Sequence, residues 1–461
     1  MFMSDSNEFS EHISRQRETW LEEVNEWLRI PSVSTDPERR DDMLAAAEWL
    51  VGSLEAAGCQ ETAIWPTDGH PVVFGAYRNV ESAPTVLVYG HYDVQPEDPV
   101  EGWESPPFEP TVRDGRLFAR GAVDDKGQLY VHVKALETWL ATEGSCPVNI
   151  LYLIEGEEEV GSPNVGKVVQ EKIQELACDA VVISDTTMFA PELPSLCYGL
   201  RGMAYCQIDA RGPKGDLHSG SFGGALVNPA EALARLLASC RDAETGAIAI
   251  PGFYDDVLPL TAEERRDWEG LPFDENAYRM DLGVPALSFE GDYGVLERLW
   301  ARPTFEVNGL LSGFTGEGSK TVLPATAMAK VSMRLVPNQD AEKIMDALEA
   351  HLIKHAPAGI TLEVTRMQGA GAWLTPRDHP VLLAASRALE RGFSAEPVFI
   401  REGGSIPLVT LLDELLGVPA VLMGLGLPDE NAHAPNENLS LENFYRGVAS
   451  SVYFHEELAK L

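Results

Sequence analysis

The sequence predicts an α/β protein: a main domain on a mostly parallel β-sheet with helices on both faces, and an inserted, smaller α/β domain with an antiparallel sheet. Short, wholly apolar runs such as TVLVYGH are typical of strands that are buried on both faces. Ala327 to Val336 instead alternate apolar and polar residues, which is typical of a half-exposed sheet. A chain of 461 residues also exceeds what one hydrophobic core usually serves, so we expect two domains.

Two helices precede the first buried strand. From about Arg15 to Leu28 apolar residues recur at helical spacing, and the proline in IPSVS ends the pattern. A second apolar stripe runs from Met43 to Leu54, and Gly58 stands where a helix stop is expected.

The stretch TVLVYGHYD organises the main domain. His91 and Asp93 stand where its strand stops, and ligands of open α/β sheets collect just outside the carboxyl ends of strands. Other apolar runs end in the same way, in acidic residues or histidine. They are VNILYLIEGEEE (148–159), AVVISD (180–185) and PAVLMGLGLPDENAH (419–433).

Two loops separate these strands from the helices. The proline-rich passage VQPEDPVEGWESPPFEP predicts an ordered surface loop on the rim of a site. Further on, Asp114-Gly115 predicts a turn, and a helix with an apolar stripe from Leu129 to Leu140 follows. Asp124 and Asp125 lie at the start of that helix, where an aspartate is also a common N-cap.

The inserted domain is predicted between Asp185 and His433. RGMAYCQIDARGPKGDLHSGSFGGALVNPAEALARLLASC indicates a strand, a Gly-rich loop and a helix, and the alternating strand is followed by a second helix. We predict that residues 1–197 form the first part of the main domain, 198–375 the inserted domain, and 376–461 the returning part that contributes the last strand and His433.

The net charge and the cysteines limit which partners and which cellular compartment are expected. With 72 acidic and 35 basic residues the net charge is -37, which argues against a nucleic-acid or anionic-membrane partner and also fits a salt-rich cytoplasm. The six cysteines are scattered without a Cys-x-x-Cys pair, so we expect reduced, interior thiols. The N-terminal residues lack the pattern of a signal peptide and no run approaches the roughly 20 apolar residues of a membrane span, so we expect a cytoplasmic protein.

The strand ends supply a ligand set for divalent metal ions. Two imidazoles and three carboxylates suit zinc, cobalt or manganese. They are too many for one tetrahedral ion and fit two ions that share a bridging carboxylate, a pair that polarises a carbonyl and acidifies a water. Chemistry alone does not choose between Asp124 and Asp125 for one of the positions. The candidates are His91, Asp124, Glu159, Asp185 and His433.

Two further carboxylates have predicted roles beside the ligands. If Glu159 binds a metal ion, Glu158 can take the proton of the water and return it to a leaving amine. Asp93 can accept the other N–H of the His91 imidazole and fix the tautomer of the ring.

The order of the motifs resembles one enzyme family over nearly the whole chain. It is similar to the co-catalytic zinc metallopeptidases that include carnosinase-type dipeptidases, aminoacylase, carboxypeptidase G and succinyl-diaminopimelate desuccinylase, with GHYDVQP and DDKG closest to the dipeptidase branch. The motifs are GHYDVQP, WxxxPFxP (103–110), RGAVDDKG, EGEEEVGS, ISD, DLHSG, RLVPNQ, EGGSIP and AHAPNE.

The resemblance implies how the metal ligands divide between two ions, Zn²⁺ in the first place and Mn²⁺ or Co²⁺ as alternatives. His91 and Asp185 would hold one ion, Glu159 and His433 the other, and Asp124 would bridge them. It also implies the roles already given to the two further carboxylates, Glu158 as general base and Asp93 as orienting group.

The resemblance further implies that the inserted domain is a lid through which two subunits form a homodimer. His218 would reach the partner subunit's active site and stabilise an oxyanion. Arg334, with the backbone around Gly403, Gly404 and Ser405, would bind the terminal carboxylate of the substrate.

We therefore expect a two-metal hydrolase that cleaves the amide bond of dipeptides with a free C-terminal carboxylate. An N-acyl amino acid deacylase or a carboxypeptidase is the alternative specificity, since all of them use the same metal centre. A non-catalytic binding protein would be expected to lack a ligand or Glu158, and a structural zinc site is usually closed by Cys and His.

Overall fold

The computed structural model describes residues 6–78 and 81–461. The chain divides into two compact units. The first comprises the chain up to Tyr198 together with Thr375–Ile400 and Leu411–Leu461, and the second comprises Gly199–Leu374 and Arg401–Thr410.

The helices and strands follow one another in chain order in three stretches. The first stretch contains α1 Ser6–Leu28, α2 Arg40–Ala57, β1 Glu61–Trp65, β2 Val72–Tyr77, β3 Thr85–His91, β4 Thr111–Arg113, β5 Arg116–Phe118, α3 Lys126–Glu143, β6 Asn149–Glu155, α4 Val165–Glu171, β7 Ala180–Ile183 and β8 Ser195–Leu200. The second contains β9 Gly202–Arg211, β10 Leu217–His218, α5 Ser219–Phe222, α6 Pro229–Ser239, α7 Ala262–Glu269, α8 Glu275–Asp281, α9 Val295–Trp300, β11 Glu306–Ser312, β12 Val322–Leu323, β13 Thr326–Leu335, α10 Ala341–His355, β14 Thr361–Ala370 and β15 Trp373–Leu374. The third contains α11 Pro380–Phe393, β16 Val398–Glu402, α12 Pro407–Leu416, β17 Ala420–Leu422, β18 Asn438–Ser440 and α13 Leu441–Leu458.

The sheet of the first unit confirms the predicted α/β architecture. Its strands lie in the order β1-β2-β6-β3-β7-β17-β8, and the four central strands, β6, β3, β7 and β17, are mutually parallel. The outer pairs are antiparallel. Every residue of β2 and β7 is buried, as are all but the first residues of β3 and β6, so these strands are covered on both faces as their apolar sequences predict.

The predicted N-terminal helices are present, with one shifted boundary. Helix α1 begins at Ser6 rather than near Arg15, because Phe9 and Ile13 continue its buried stripe toward the N-terminus. Helix α2 ends at Gly58, whose φ of 108° lies in the left-handed region that glycine tolerates best. The proline-rich passage after β3 is a loop with one short 3-10 turn, Val100–Gly102.

The second unit is built on an antiparallel sheet in the order β11-β13-β9-β14. Residues along β9 and β13 alternate between buried and partly exposed, as the alternating sequence predicts. Helices α6 and α10 place Leu233, Leu236 and Leu348 in the core cluster on the buried face of this sheet. Strand β11 lies at the edge, with Val307, Leu310 and Leu311 exposed.

Residues Arg401–Thr410 pack with the second unit, although the sequence prediction assigned all of 376–461 to the main domain. Arg201 explains this grouping. Its backbone N–H donates to Gly404 O at 3.1 Å, its Nε donates to Gly403 O at 3.1 Å, and its carbonyl accepts the hydroxyl of Ser405. A local sequence pattern does not reveal hydrogen bonds between segments that lie so far apart in the chain.

Two further findings concern helices and thiols. In the described ranges no helix is both long and apolar enough to cross a bilayer. All six cysteines are free, and five of them are buried, in agreement with the expectation of interior thiols.

Candidate metal centre

The carboxyl ends of the parallel strands bring the predicted ligands together. His91 is the last residue of β3, Asp185 follows β7, and Glu159 lies in the turn after β6. His433 lies in the loop after β17 and adopts a left-handed backbone conformation with a φ of 60°. Such strained conformations concentrate at functional sites, where the surrounding structure holds them in place.

Asp124 belongs to two groups of three side chains that could each hold a metal ion. In the first group, His91 Nε2 lies 3.1 Å from Asp124 Oδ1 and 3.8 Å from Asp185 Oδ2. In the second, His433 Nε2 lies 2.7 Å from Asp124 Oδ2 and 3.3 Å from Glu159 Oε2. Each oxygen of Asp124 thus faces a different histidine, which is the geometry of a bridging ligand.

Asp125 belongs to neither group. Its Oδ2 faces the backbone N–H of His91 at 3.4 Å, and the side chain does not cap helix α3. Gly90 makes room for it, because a Cβ there would lie 2.6 Å from Asp125 Oδ2. The tertiary structure therefore distinguishes the two aspartates that the chemistry of the sequence leaves equivalent.

The donor atoms fit divalent cations. Glu159 Oε1 is buried and has no hydrogen-bond partner within 6–78 and 81–461. Unpartnered buried polar atoms are costly, and the carboxylates of Asp124, Asp185 and Glu159 lie together with the two histidines in the two ligand groups. Metal ions would satisfy these atoms and neutralise the carboxylates.

The electrostatics of the two histidines point the same way. Hydrogen bonds that the His433 imidazole donates to Asp124 and Glu159 raise the pKa of His433 to about 10. Burial alone would lower the pKa of His91, but Asp124 and Asp93 raise it well above its usual value. The surroundings thus favour the protonated, positively charged form of both imidazoles. A bound metal ion would replace the proton and supply the positive charge.

Asp93 holds the turn that carries two of the predicted residues. Its carboxylate accepts the backbone N–H of Glu158 at 3.2 Å and that of Glu159 at 3.1 Å. His91 Nδ1 lies 3.0 Å from the Asp93 carbonyl oxygen and 3.4 Å from its carboxylate. Asp93 therefore contacts both the imidazole and the glutamate turn, whereas the sequence suggested only the first contact.

Glu158 is half-buried and precedes the proposed ligand Glu159 in the chain. Burial and the neighbouring carboxylates of Glu159 and Asp124 together raise the pKa of Glu158 to about 7, although His91 opposes them. A carboxylate of this kind can both accept and release a proton near neutral pH.

Two polar residues in the motifs contact the ligand-bearing segments, although the sequence analysis gave them no role. Gln95 Nε2 donates to Glu159 Oε2 at 2.6 Å. Glu437 accepts the backbone N–H of Asp124 at 3.1 Å. Their positions within GHYDVQP and AHAPNE were the available signal, but the contacts depend on distant segments of the chain.

The remaining predicted site residues lie in the second unit. Arg334 Nη1 donates to Ser405 Oγ at 2.9 Å, and Gly403 and Gly404 are held by Arg201. His218 is exposed, and its Nδ1 accepts the backbone N–H of Gly220 at 3.0 Å.

Arg201 differs from the other buried arginines. In the described part of the chain Arg120 and Arg401 are also buried, and each pairs with a carboxylate. Arg201 instead donates to backbone carbonyls and faces the positive charge of Arg334, and burial lowers its pKa to about 10. The Arg201–Arg334 cluster is therefore an electropositive place in a strongly acidic protein.

Comparison with known proteins assigns the enzyme class: the chain is a metallopeptidase. The model of Peptidase family M20/M25/M40 matches residues 87–457, and the chain belongs to this family. This confirms the resemblance stated from the motifs.

Individual relatives match over nearly their whole length. The chain is 33% identical to the Cys-Gly metallodipeptidase dug1 of Schizosaccharomyces pombe, over 98% of each chain. It is 31% identical to the Beta-Ala-His dipeptidase of Homo sapiens, over 98% of this chain and 92% of the relative. Among solved structures it is similar to the M20 family metallo-carboxypeptidase Sso-CP2 of Sulfolobus solfataricus, with a TM-score of 0.83, 33% identity, and 96% and 99% coverage of the two chains.

Proposed function

We propose that this metallopeptidase is a two-metal dipeptidase that cleaves the amide bond of dipeptides with a free C-terminal carboxylate. The observation that carries the proposal is the position of Asp124, which presents one oxygen to His91 and the other to His433. The relatives named Cys-Gly metallodipeptidase and Beta-Ala-His dipeptidase support the substrate class.

In this proposal His91 and Asp185 hold one divalent ion, Glu159 and His433 hold the other, and Asp124 is shared. Zn²⁺ is the expected metal, with Mn²⁺ or Co²⁺ as alternatives. When bound, such a pair polarises the scissile carbonyl and lowers the pKa of a water between the ions.

The residues of the chain carry the proton transfers. Glu158 takes the proton of the attacking water and delivers it to the leaving amine as the amide bond breaks. Asp93 keeps the backbone of Glu158 and Glu159 in place and orients the His91 ring, so that base and ligand keep their relative positions.

The second unit is proposed to recognise the substrate. Arg334 and Ser405, with the backbone of Gly403 and Gly404, bind the terminal carboxylate. Two neighbouring guanidinium groups, neither of which forms an ion pair with a carboxylate among the described residues, support an anionic ligand. His218 is proposed to stabilise the oxyanion in the active site of the partner subunit, and its exposure leaves it accessible for that role.

A homodimer is proposed through the second unit. Edge strand β11 exposes Val307, Leu310 and Leu311, and an exposed apolar edge strand favours pairing with another chain. The free thiols and the acidic composition support a cytoplasmic location.

A carboxypeptidase is the second candidate, because a similarly close relative carries that name. An N-acyl amino acid deacylase would use the same centre on an acylated substrate. These activities differ in the length and the N-terminal group of the substrate, so one panel separates them.

The test uses metal-stripped protein reloaded with Zn²⁺ or Mn²⁺ and a panel of dipeptides, longer peptides and N-acyl amino acids. We expect metal-dependent cleavage of free dipeptides, and a fall in kcat of about 10²- to 10⁴-fold in Glu158→Gln. Cleavage of only longer peptides would indicate a carboxypeptidase, and cleavage of only acylated amino acids would indicate an N-acyl amino acid deacylase. Metal binding without any cleavage would indicate a binding protein.

A further inference from the structure

Glu437 is a fully buried carboxylate in the segment that follows His433. Its Oε2 accepts Arg120 Nη1 at 2.6 Å and the backbone N–H of Gly121 at 3.0 Å. Its Oε1 accepts the backbone N–H of Val123 at 3.0 Å and that of Asp124 at 3.1 Å. Both oxygens are thus saturated by one short segment, and that segment ends at the shared ligand.

The main chain of Glu437 accepts a hydrogen bond from the same segment, residues 119–124. The backbone N–H of Ala119 donates to Glu437 O at 3.1 Å, so the main chain and the side chain of Glu437 both hold this segment. Because His433 and Glu437 lie on one loop, this carboxylate connects the backbone of Asp124 with the loop of one of the facing histidines.

We propose that Glu437 is the positioning residue of the metal centre: by fixing the backbone of Asp124 relative to the His433 loop, it keeps the shared carboxylate between the two ions. The inference rests on the proposed function in that Asp124 binds the metals. Glu437 itself belongs to neither ligand group. Because Asp124 is shared, loss of Glu437 weakens the binding of both ions rather than of one.

The charge and the two oxygens of Glu437 are both needed for this role. Four donors converge on the carboxylate, and an amide has only one acceptor oxygen. In Glu437→Gln the amide N–H₂ group replaces one of the two oxygens and faces hydrogen-bond donors. This repulsion displaces either Arg120 and Gly121 or Val123 and Asp124.

Glu430 offers a matched control on the same loop. It is likewise buried, and its carboxylate accepts the backbone N–H of Leu427 at 2.7 Å and of Ser440 at 2.6 Å. These hydrogen bonds of the Glu430 side chain lie outside the 119–124 segment. Glu430→Gln therefore removes a comparable buried carboxylate from the His433 loop while leaving the backbone of Asp124 bonded to Glu437.

The experiment titrates metal-stripped wild-type protein, Glu437→Gln and Glu430→Gln with Zn²⁺ against a chromogenic chelator, well below their unfolding temperatures. Thermal unfolding and circular dichroism establish that each variant is folded. For Glu437→Gln we expect both binding steps to weaken by about 10- to 100-fold, the usual effect of losing a residue that supports metal ligands. Glu430→Gln is expected to bind both ions with an affinity close to that of wild type.

Each outcome decides the inference. Unchanged affinity in folded Glu437→Gln overturns it, and so does an equal loss in Glu430→Gln, which would mean that general loop stability is responsible. If Glu437→Gln does not fold, Glu437→Asp replaces it, because the shorter side chain keeps the charge but withdraws the oxygens from the segment. The same weakening of both binding steps is then expected. Wild-type affinity in Glu437→Asp would overturn the inference. Wild-type protein that binds two ions but cleaves no dipeptide would refute the proposed function alone, whereas wild-type protein that binds no Zn²⁺ would refute both.

Discussion

The carboxylate of Asp93 accepts the backbone N–H of Glu158 at 3.2 Å, so a residue at the end of one strand fixes the start of the turn after the neighbouring strand. The same carboxylate accepts the N–H of Glu159 and approaches the His91 ring. A single buried side chain therefore contacts the segments that carry the proposed base and two proposed ligands.

Replacement of Asp93 should show how far its support of the glutamate turn contributes to catalysis and how far to metal binding. Asp93→Ala removes the acceptor of both backbone N–H groups, and we expect kcat on a cleaved dipeptide to fall about 10- to 100-fold, with weaker metal binding. Steady-state kinetics with saturating Zn²⁺ and a metal titration measure the two effects. Kinetics equal to wild type would show that the turn keeps its conformation without Asp93.

The two adjacent aspartates should respond differently to the same change. Asp124→Asn removes the charge from the residue shared by both ligand groups, so metal affinity should fall more than tenfold for both ions. Asp125→Asn is the control, since Asp125 faces the backbone of His91 and neither ligand group includes it. Equal metal loss in both variants would contradict the assignment of Asp124 as the shared ligand.

Acid should destabilise the fold through His455. Burial and the nearby His132 lower the pKa of His455 to about 3; its Nδ1 faces Cys146 Sγ at 3.9 Å, and its Nε2 has no hydrogen-bond partner in the described chain. The unfolded histidine takes up a proton near pH 6.5, whereas the folded one stays neutral. The stability from the neutral ring is therefore present above about pH 6.5 and is lost progressively toward pH 3, by about 1.4 kcal/mol per pH unit.

Urea unfolding at pH 7 and pH 5 measures this effect. Wild-type protein should lose about 2 kcal/mol more between these pH values than His455→Gln, whose side chain takes up no proton. Because the free energy of unfolding at pH 7 is compared with that at pH 5 in the same protein, the packing cost of the substitution cancels. An equal loss in both proteins would mean that other groups cause the acid sensitivity.

Salt should stabilise the protein. A net charge of -37 makes the folded chain repel itself, and raising the ionic strength from about 0.1 M to about 1 M shortens the screening length from about 10 Å to about 3 Å. We expect the thermal midpoint to rise with KCl. Choline chloride at the same ionic strength separates screening from specific K⁺ binding, and a midpoint that falls or stays constant in both salts would contradict the expectation.

Much of the fold was predictable because its signals are local. The buried strand ending at His91 and the alternating strand β13 follow from side-chain patterns over a few residues, since burial on two faces or on one selects different sequences. The sequence-based start of α1 near Arg15 lies too far along the chain, because Phe9 and Ile13 alone continue the apolar stripe before it.

The sequence by itself determined the strand-end positions of the ligands and, through its motifs, the enzyme family. The motifs also imply Asp124 as the shared ligand, but only the tertiary structure decided that its two oxygens face different histidines, that Asp93 holds the glutamate turn, and that Glu437 holds the backbone of Asp124. The reason is physical: a strand pattern depends on neighbours along the chain, whereas the direction of a buried carboxylate depends on donors supplied by segments that only folding brings together.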